Sequence, residues 1–182
     1  MRGLEASPGC GECPFARDGK PHMPVTGEGP EAPEWIIVGE GPGENERNEG
    51  RPFIGPSGQM LDMTIKLIGA DRKKLWVTNA MNCTPPGAKD SQKEKARQQC
   101  QPRLLEELRK FPGKPILALG AMASKMALGD NSILDYAGAL HTLDLGEASP
   151  RYVIPTIHPA FILRGGGDDD GARANDGYFF AL

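Results

Sequence analysis

Four short apolar runs alternate with helical segments along the chain, and this alternation limits the possible folds more than any other feature. The runs are residues 35–38, 75–79, 115–119 and 151–155. The first, Trp35-Ile36-Ile37-Val38, is a continuous apolar run that ends at Gly39, which is typical of a buried strand, and the other three are also predicted as strands. Strands that alternate with helices predict right-handed crossovers and a parallel sheet covered on both sides. We therefore expect a three-layer α/β/α architecture with a central four-stranded parallel sheet.

Helical segments are predicted between these runs. Residues 57–68 have apolar side chains at helical spacing, and residues 121–128 form a short helix directly after the third run. Ser91 and Glu94 match a capping box, which predicts that a long helix begins there. All of these elements fit one domain over residues 1–182, a length that can bury a substantial core.

Composition and charge exclude several functional classes. The 182 residues are 38% hydrophobic and 25% charged, and no run approaches the roughly 18 apolar residues of a membrane span. The N-terminus lacks a secretory pattern, so we expect a cytoplasmic protein with no membrane partner. The net charge of -3 argues against general polyanion binding. However, residues 66–114 carry twelve Lys or Arg against five acidic residues, so this half could present a basic surface to phosphates.

The four cysteines form a C-x2-C pair followed by two more widely spaced residues. They are Cys10, Cys13, Cys83 and Cys100, with 2, 69 and 16 residues between them. Four thiolates can hold a tetrahedral zinc or an iron–sulfur cluster, and the spacing alone leaves both open. Either would attach an N-terminal arm to the domain. Incidental free thiols are the alternative, and disulfides are disfavoured in a reducing compartment.

Distinctive polar residues follow the ends of the predicted strands. Glu40 follows the first strand, Asn79 ends the second and His158 follows the fourth. Ligands bind at the carboxyl ends of parallel strands, so these residues are expected to converge on an active site. A carboxylate there could orient a water or stabilise a cation, and an imidazole could donate to an oxyanion. Phe53 lies in a Gly- and Pro-rich loop and could stack on a flat ring.

Each of these residues also has a plain structural interpretation. Glu40 could be a solvated side chain in a tight turn, and Phe53 could be an ordinary core residue. Asn79 could cap a strand end, and a lone histidine such as His158 is more often structural. The convergence of Glu40, Asn79 and His158 at one sheet edge favours the functional interpretation.

Taken together, these segments resemble the family 4 uracil-DNA glycosylases, the iron–sulfur members of the uracil-DNA glycosylase superfamily. The resemblance extends from Cys10 to Arg164. The matching segments are residues 39–46 (GEGPGENE), 50–61 (GRPFIGPSGQML), 77–87 (VTNAMNCTPPG) and 158–164 (HPAFILR). It implies a four-stranded parallel sheet between helices and a structural [4Fe–4S] cluster held by the four cysteines, with zinc less favoured. The implied activity is release of uracil from DNA by hydrolysis of the N-glycosidic bond, which initiates base-excision repair.

The resemblance also implies roles for individual residues. Glu40 would activate the attacking water, with Glu46 as a second catalytic candidate, and His158 would stabilise negative charge on uracil O2. The base would be bound by the Gly41 backbone, by stacking on Phe53 and by hydrogen bonds to Asn79 that select uracil. Arg164 would lie on the segment that enters the DNA minor groove.

The chain also departs from the family pattern. Ala137-Gly138 stands where the family usually has Arg-Gly, and a Gly/Asp-rich stretch at residues 165–171, expected to be a mobile loop, adds negative charge beside the DNA face. The last residues, 179–182, are apolar and look like a final helix cut short.

Uracil-containing DNA is the expected partner of a monomer, with a DNA polymerase or sliding clamp as a further partner. The rival functions are a non-catalytic iron–sulfur module that binds DNA beside a replication protein, and a glycosylase for another deaminated base. The Glu40, Phe53, Asn79 and His158 set weighs against the first rival.

Overall fold

A computed structural model describes residues 8–19, 21–129 and 133–164, and all structural statements refer to these residues. The five strands are β1 (Trp35–Gly39), β2 (Leu75–Asn79), β3 (Ile116–Leu119), β4 (His141–Leu143) and β5 (Arg151–Thr156). The six α-helices are α1 (Glu44–Glu49), α2 (Pro56–Leu67), α3 (Asp90–Arg109), α4 (Ala121–Leu128), α5 (Ile133–Tyr136) and α6 (Pro159–Leu163). Short 3-10 helices occupy Pro8–Glu12 and Arg72–Lys74.

The strands form one sheet in the order β2-β1-β3-β5-β4. The first four are parallel, as the sequence predicts, and each strand boundary lies within one residue of its apolar run. The fifth strand, β4, pairs antiparallel with β5 and was not predicted. Its three residues, His141-Thr142-Leu143, include only one aliphatic side chain, so they give no apolar run. The expected α/β/α fold is thus confirmed, with one additional edge strand.

Alternate residues of each strand enter two separate cores, which explains the three layers. Ile36 and Val38 of β1 join a core with Leu104 and Leu108 of α3, whereas Ile37 points to the other face. There Leu61 and Ile65 of α2 pack against Val77 and Leu117. A strand buried on both faces, such as β1, is apolar at successive positions, as its continuous run in the sequence indicated.

The beginning of α3 differs in detail from the prediction. The helix begins at Asp90, and Gln92 Oε1 accepts a hydrogen bond of 3.0 Å from the backbone N–H of Lys89. The capping interaction therefore lies two residues before the predicted Ser91–Glu94 pair. Glu94 instead forms ion pairs with Arg97 and Lys125.

The N-terminal arm lies along the outer edge of the domain. Glu28 pairs with Val77 in an isolated antiparallel bridge that covers the edge of β2. Further back along the chain, Phe15 packs in a third apolar cluster with Met81, Cys83 and Ala96. None of the described helices is long and apolar enough to cross a membrane. The predicted loop at 165–171 and the predicted helix start at 179–182 lie outside the described residues.

Candidate active site

A cleft with a volume of about 640 Å³ opens at the carboxyl ends of β1 and β2. This is where ligands bind in parallel α/β sheets. The seven residues that the sequence predicted for catalysis, base binding and DNA binding all line it. They are Glu40, Gly41, Glu46, Phe53, Asn79, His158 and Arg164.

Phe53 is held in an unusual backbone conformation inside this cleft. Its φ angle is +54°, in the left-handed region that non-glycine residues rarely adopt, and its side chain is buried. Two glycines make room for it. A Cβ on Gly58 would lie 1.9 Å from the Phe53 carbonyl oxygen, and a Cβ on Gly39 would lie 2.4 Å from Phe53 Cζ. The ring is thereby set 6.2 Å from the His158 ring, centroid to centroid.

Glu46 supports the loop that carries Phe53. Its buried carboxylate accepts hydrogen bonds from the backbone N–H groups of Ile54 at 3.0 Å and Gly55 at 2.8 Å. Both donors follow Phe53 directly in sequence. The structure thus gives Glu46 a positioning contact at the cleft, whereas its predicted catalytic role stays a prediction.

His158 has a defined tautomer. It is the N-cap of α6, and its Nδ1 accepts a hydrogen bond of 3.0 Å from the backbone N–H of Ala160. When the ring is neutral, its single proton must therefore be on Nε2. Burial lowers the pKa of His158, which favours this neutral form, and the nearby Glu40 carboxylate opposes the shift. Gly120 allows the close approach, because its Cβ would lie 2.8 Å from His158 Cβ.

Asn79 is almost completely buried at the last position of β2. It is paired in register with Gly39, and its Oδ1 would lie 2.6 Å from a Cβ at that position. Its backbone carbonyl accepts a hydrogen bond of 2.6 Å from Arg103 Nη2 on α3. The backbone of Asn79 is thereby held at the floor of the cleft, and its carboxamide lies beside Gly39, as Phe53 does.

The turn that follows β1 (residues 40–43) is in contact with the loop that contains Cys83. Arg47 Nη1 donates a hydrogen bond of 2.8 Å to the carbonyl of Thr84 and one of 3.3 Å to that of Pro42. Gly41 is in close contact with the same loop, because its Cβ would lie 2.2 Å from Thr84 Oγ1. A larger residue than glycine would push the turn away from the Cys83 loop.

Glu40 pairs with a residue that sequence analysis did not single out. Lys93 Nζ lies 2.9 Å from Glu40 Oε1, and both side chains are partly buried in the cleft wall. Lys93 is seven residues before Cys100 on α3, and seven residues are nearly two helical turns. It therefore lies on the same face as Cys100, which is the one signal in the sequence that could have identified it. Arg164 lies at the exposed end of α6, on the rim of the cleft.

The four cysteines come together beside the cleft. The 3-10 helix that contains Cys10 packs against α3, and a Cβ on the neighbouring Gly9 would lie only 2.0 Å from the carbonyl oxygen of Gln99. Burial raises the pKa of Cys83 to about 11, and the other three thiols contribute to this shift. Burial also raises the pKa of Cys100. All four cysteines are among the described residues, and none forms a disulfide.

No group of three or more His, Cys, Asp or Glu side chains within the described ranges is arranged to hold a metal ion. The donor set itself still suits a cluster. Four sulfur atoms from three separate parts of the chain lie within electrostatic range of one another, in a mostly apolar setting with Phe15 and Met81. This is the ligand set that a four-iron cluster requires.

Comparison with known proteins shows the family of this chain. The family model described as the uracil DNA glycosylase superfamily matches residues 26–176. A type-4 uracil-DNA glycosylase of Sulfurisphaera tokodaii is 36% identical over 145 residues, which are 76% of this chain and 65% of that protein. A type-4 uracil-DNA glycosylase of Pyrobaculum aerophilum is 31% identical over 160 residues, 85% of this chain and 80% of that protein. One of Thermotoga maritima is 33% identical over 141 residues, 77% of this chain and 71% of that protein.

Proposed function

Because the chain belongs to the uracil DNA glycosylase superfamily, as a relative of its type-4 enzymes, we propose that it is a uracil-DNA glycosylase. It hydrolyses the N-glycosidic bond of deoxyuridine in DNA, releases uracil and leaves an abasic site, the first step of base-excision repair. The observation that carries this proposal is the cleft itself. It combines a neutral imidazole with its proton on Nε2, a carboxylate, a buried aromatic ring and a buried carboxamide.

Base recognition falls to Phe53, Asn79 and the backbone of Gly41. A duplex hides the scissile bond, so the deoxyuridine must rotate out of the stack, which costs least where uracil is mispaired with guanine. Phe53 would stack on the flipped base, and such contacts are typically worth roughly 1–3 kcal/mol. The Asn79 carboxamide offers one acceptor and two donors, which complement the N3–H and O4 of uracil. Backbone groups of Gly41 would contact the other edge of the base.

The bond-breaking step requires two opposite charges to be stabilised. As the bond between C1′ and N1 breaks, negative charge develops on uracil O2 and positive charge on the sugar. His158 donates its Nε2–H to O2, and Glu40 stabilises the oxocarbenium-like sugar. Glu40 also takes a proton from the water that adds to C1′. Loss of one such preorganised donor typically costs about 2.7–4 kcal/mol of barrier.

We further propose that Cys10, Cys13, Cys83 and Cys100 hold a [4Fe–4S] cluster, with zinc as the alternative. Hydrolysis needs no electron transfer, so the group would serve as a structural link between the arm and α3. Cys100→Ala is expected to abolish iron binding and lower the melting temperature. Iron and sulfide analysis of anaerobically purified protein tests this, and stoichiometric zinc in place of iron would contradict it.

Arg164 is proposed to contact DNA, because it lies on the exposed rim of the cleft at the end of α6. Cationic side chains at such a rim neutralise backbone phosphates, so binding should weaken as salt rises. Association with a DNA polymerase or sliding clamp, and a monomeric state, stay predictions.

The proposal is tested by uracil release from a labelled oligonucleotide with a single U·G pair. Wild-type protein loaded with its cluster should produce alkali-labile abasic sites, and Glu40→Gln should lose most of this activity. Duplexes with hypoxanthine or xanthine test the alternative that another deaminated base is the substrate. Protein that binds DNA but cleaves none of these, in single or double strands, would instead indicate a non-catalytic DNA-binding module.

A further inference from the structure

The first turn of α3 enters the wall of the cleft. Lys93 lies in this turn, and its Nζ is 2.9 Å from Glu40 Oε1 and 3.7 Å from Asp90 Oδ1. The contact with Glu40 joins two elements far apart in sequence, because Glu40 directly follows β1. It differs from an ordinary surface ion pair, since the side chains of Lys93 and Glu40 are only 25% and 34% exposed. Asp90, in contrast, is 94% exposed and contributes little.

Lys93 is protonated and positively charged at neutral pH. The hydrogen bond to Glu40 raises the pKa of Lys93, so it stays an ammonium while paired. A free carboxylate on a turn could rotate among several orientations. An ammonium at hydrogen-bonding distance from one of its oxygens restricts that freedom and leaves the other oxygen for a water.

We propose that Lys93 is a positioning residue, whose ammonium group holds the Glu40 carboxylate in the orientation that serves the attacking water. The proposal rests on the role proposed above for Glu40 and extends it to a residue on the helix that carries Cys100. Lys93 transfers no proton and need not touch the substrate.

The same contact influences His158. The charged groups that face His158 are Glu40 and Glu46, which raise its pKa, and Arg164 and Lys93, which lower it together with burial. Removal of Lys93 takes away one of the charges that lower this pKa. It also leaves the negative charge of Glu40 without its paired ammonium, which raises the pKa of His158 further. A variant without Lys93 should therefore protonate His158 at a higher pH and lose activity earlier on acidification.

The test uses the full chain with its cluster and compares Lys93→Met, Lys93→Arg and Lys95→Met. Lys95 is exposed on the same helix, so it controls for the loss of one positive charge. The single-turnover rate of uracil release is measured from pH 5 to pH 9 at saturating enzyme, together with DNA affinity. For Lys93→Met we expect a single-turnover rate about 10- to 100-fold below that of the wild type. The acidic limb of its pH–rate profile should move to higher pH, and its affinity for DNA should equal that of the Lys95→Met control. Lys93→Arg should restore most of the rate.

Two results would overturn the proposal. In the first, Lys93→Met binds DNA more weakly but reaches the wild-type rate at saturating enzyme. This would show that Lys93 contacts phosphate and does not position Glu40. The other is an unchanged pH profile with an unchanged rate. NMR titration of His158 in DNA-free protein, assigned with a His158→Gln variant, provides a readout that does not depend on turnover. If wild-type protein releases no uracil, the proposed function fails, whereas an unchanged His158 titration in Lys93→Met would reject the Lys93 contact.

Discussion

Replacement of Glu46 separates a positioning role from a catalytic one. Its carboxylate accepts two backbone hydrogen bonds, from Ile54 and Gly55, and these hold the loop in which Phe53 adopts a φ of +54°. Hydrogen bonds to a charged group are worth about 1.5–3 kcal/mol each. Glu46→Ala removes the Oε1 that accepts both bonds and leaves two N–H groups without this partner, so we expect a loss of roughly 3 kcal/mol in unfolding free energy. For a chain of this size that corresponds to a melting temperature lower by about 6–12 °C.

Glu46→Gln is the matched variant. The glutamine keeps a carbonyl oxygen that can accept the same two hydrogen bonds, but it loses the negative charge. Charge-assisted bonds are about twice as strong as neutral ones, so about half of the stabilisation, roughly 1.5 kcal/mol, should remain. If Glu46 only positions Phe53, the glutamine variant should keep its single-turnover rate within about a factor of ten. The alanine variant should bind uracil-containing DNA more weakly as Phe53 leaves its strained conformation.

The assays are thermal unfolding followed by circular dichroism and single-turnover uracil release, with Glu40→Gln as the catalytic reference. The reasoning is refuted if Glu46→Gln is as inactive as Glu40→Gln while its melting temperature equals that of the wild type. Such a result would show that the Glu46 carboxylate acts on the reacting atoms.

Three further predictions concern the floor of the cleft and its pH dependence. Gly39→Ala should raise the inhibition constant for free uracil at least tenfold, because the new Cβ would overlap Phe53 and Asn79; unchanged inhibition would argue against base binding there. Asn79→Asp should reduce the preference for uracil over other bases, measured with duplexes that contain uracil or thymine opposite guanine, and a retained preference would exclude Asn79 as the selective residue. Burial lowers the pKa of His158 below 6.5, so activity should be retained as pH falls to 6.5 and decline only below it; a pH–rate profile with its acidic limb above 6.5 would contradict this.

The sheet and the location of the site could be predicted from sequence because both depend on local patterns. Short, mainly apolar segments predict strands, and four of the five described strands met this condition. The strand β4 did not, because an edge strand is partly solvated and its polar residues carry no apolar signal. Likewise, Asn79 and His158 were identified by their positions after strands, and parallel strands bring such positions together.

The supporting contacts of the site could not be predicted in this way. Lys93 is one of many basic residues between 66 and 114, and its seven-residue spacing from Cys100 gives no sign of its contact with Glu40, which depends on tertiary packing. Glu46 was noticed through the family motif, yet its contacts are backbone N–H groups, which every residue except proline possesses. Sequence patterns show which side chains are present at a site, whereas the groups that orient them depend on the packing of distant elements.

Helix α3 connects these supporting contacts with the cysteines. Its first turn holds Glu40 through Lys93, and its middle holds the Asn79 carbonyl through Arg103. Arg103 is itself paired with Glu107, a turn further along α3. A displacement of α3 would therefore move both the carboxylate and the carboxamide of the cleft. A cluster bound partly by Cys100 would fix this helix against the N-terminal arm, so a group without any redox role could still determine how accurately the cleft is formed.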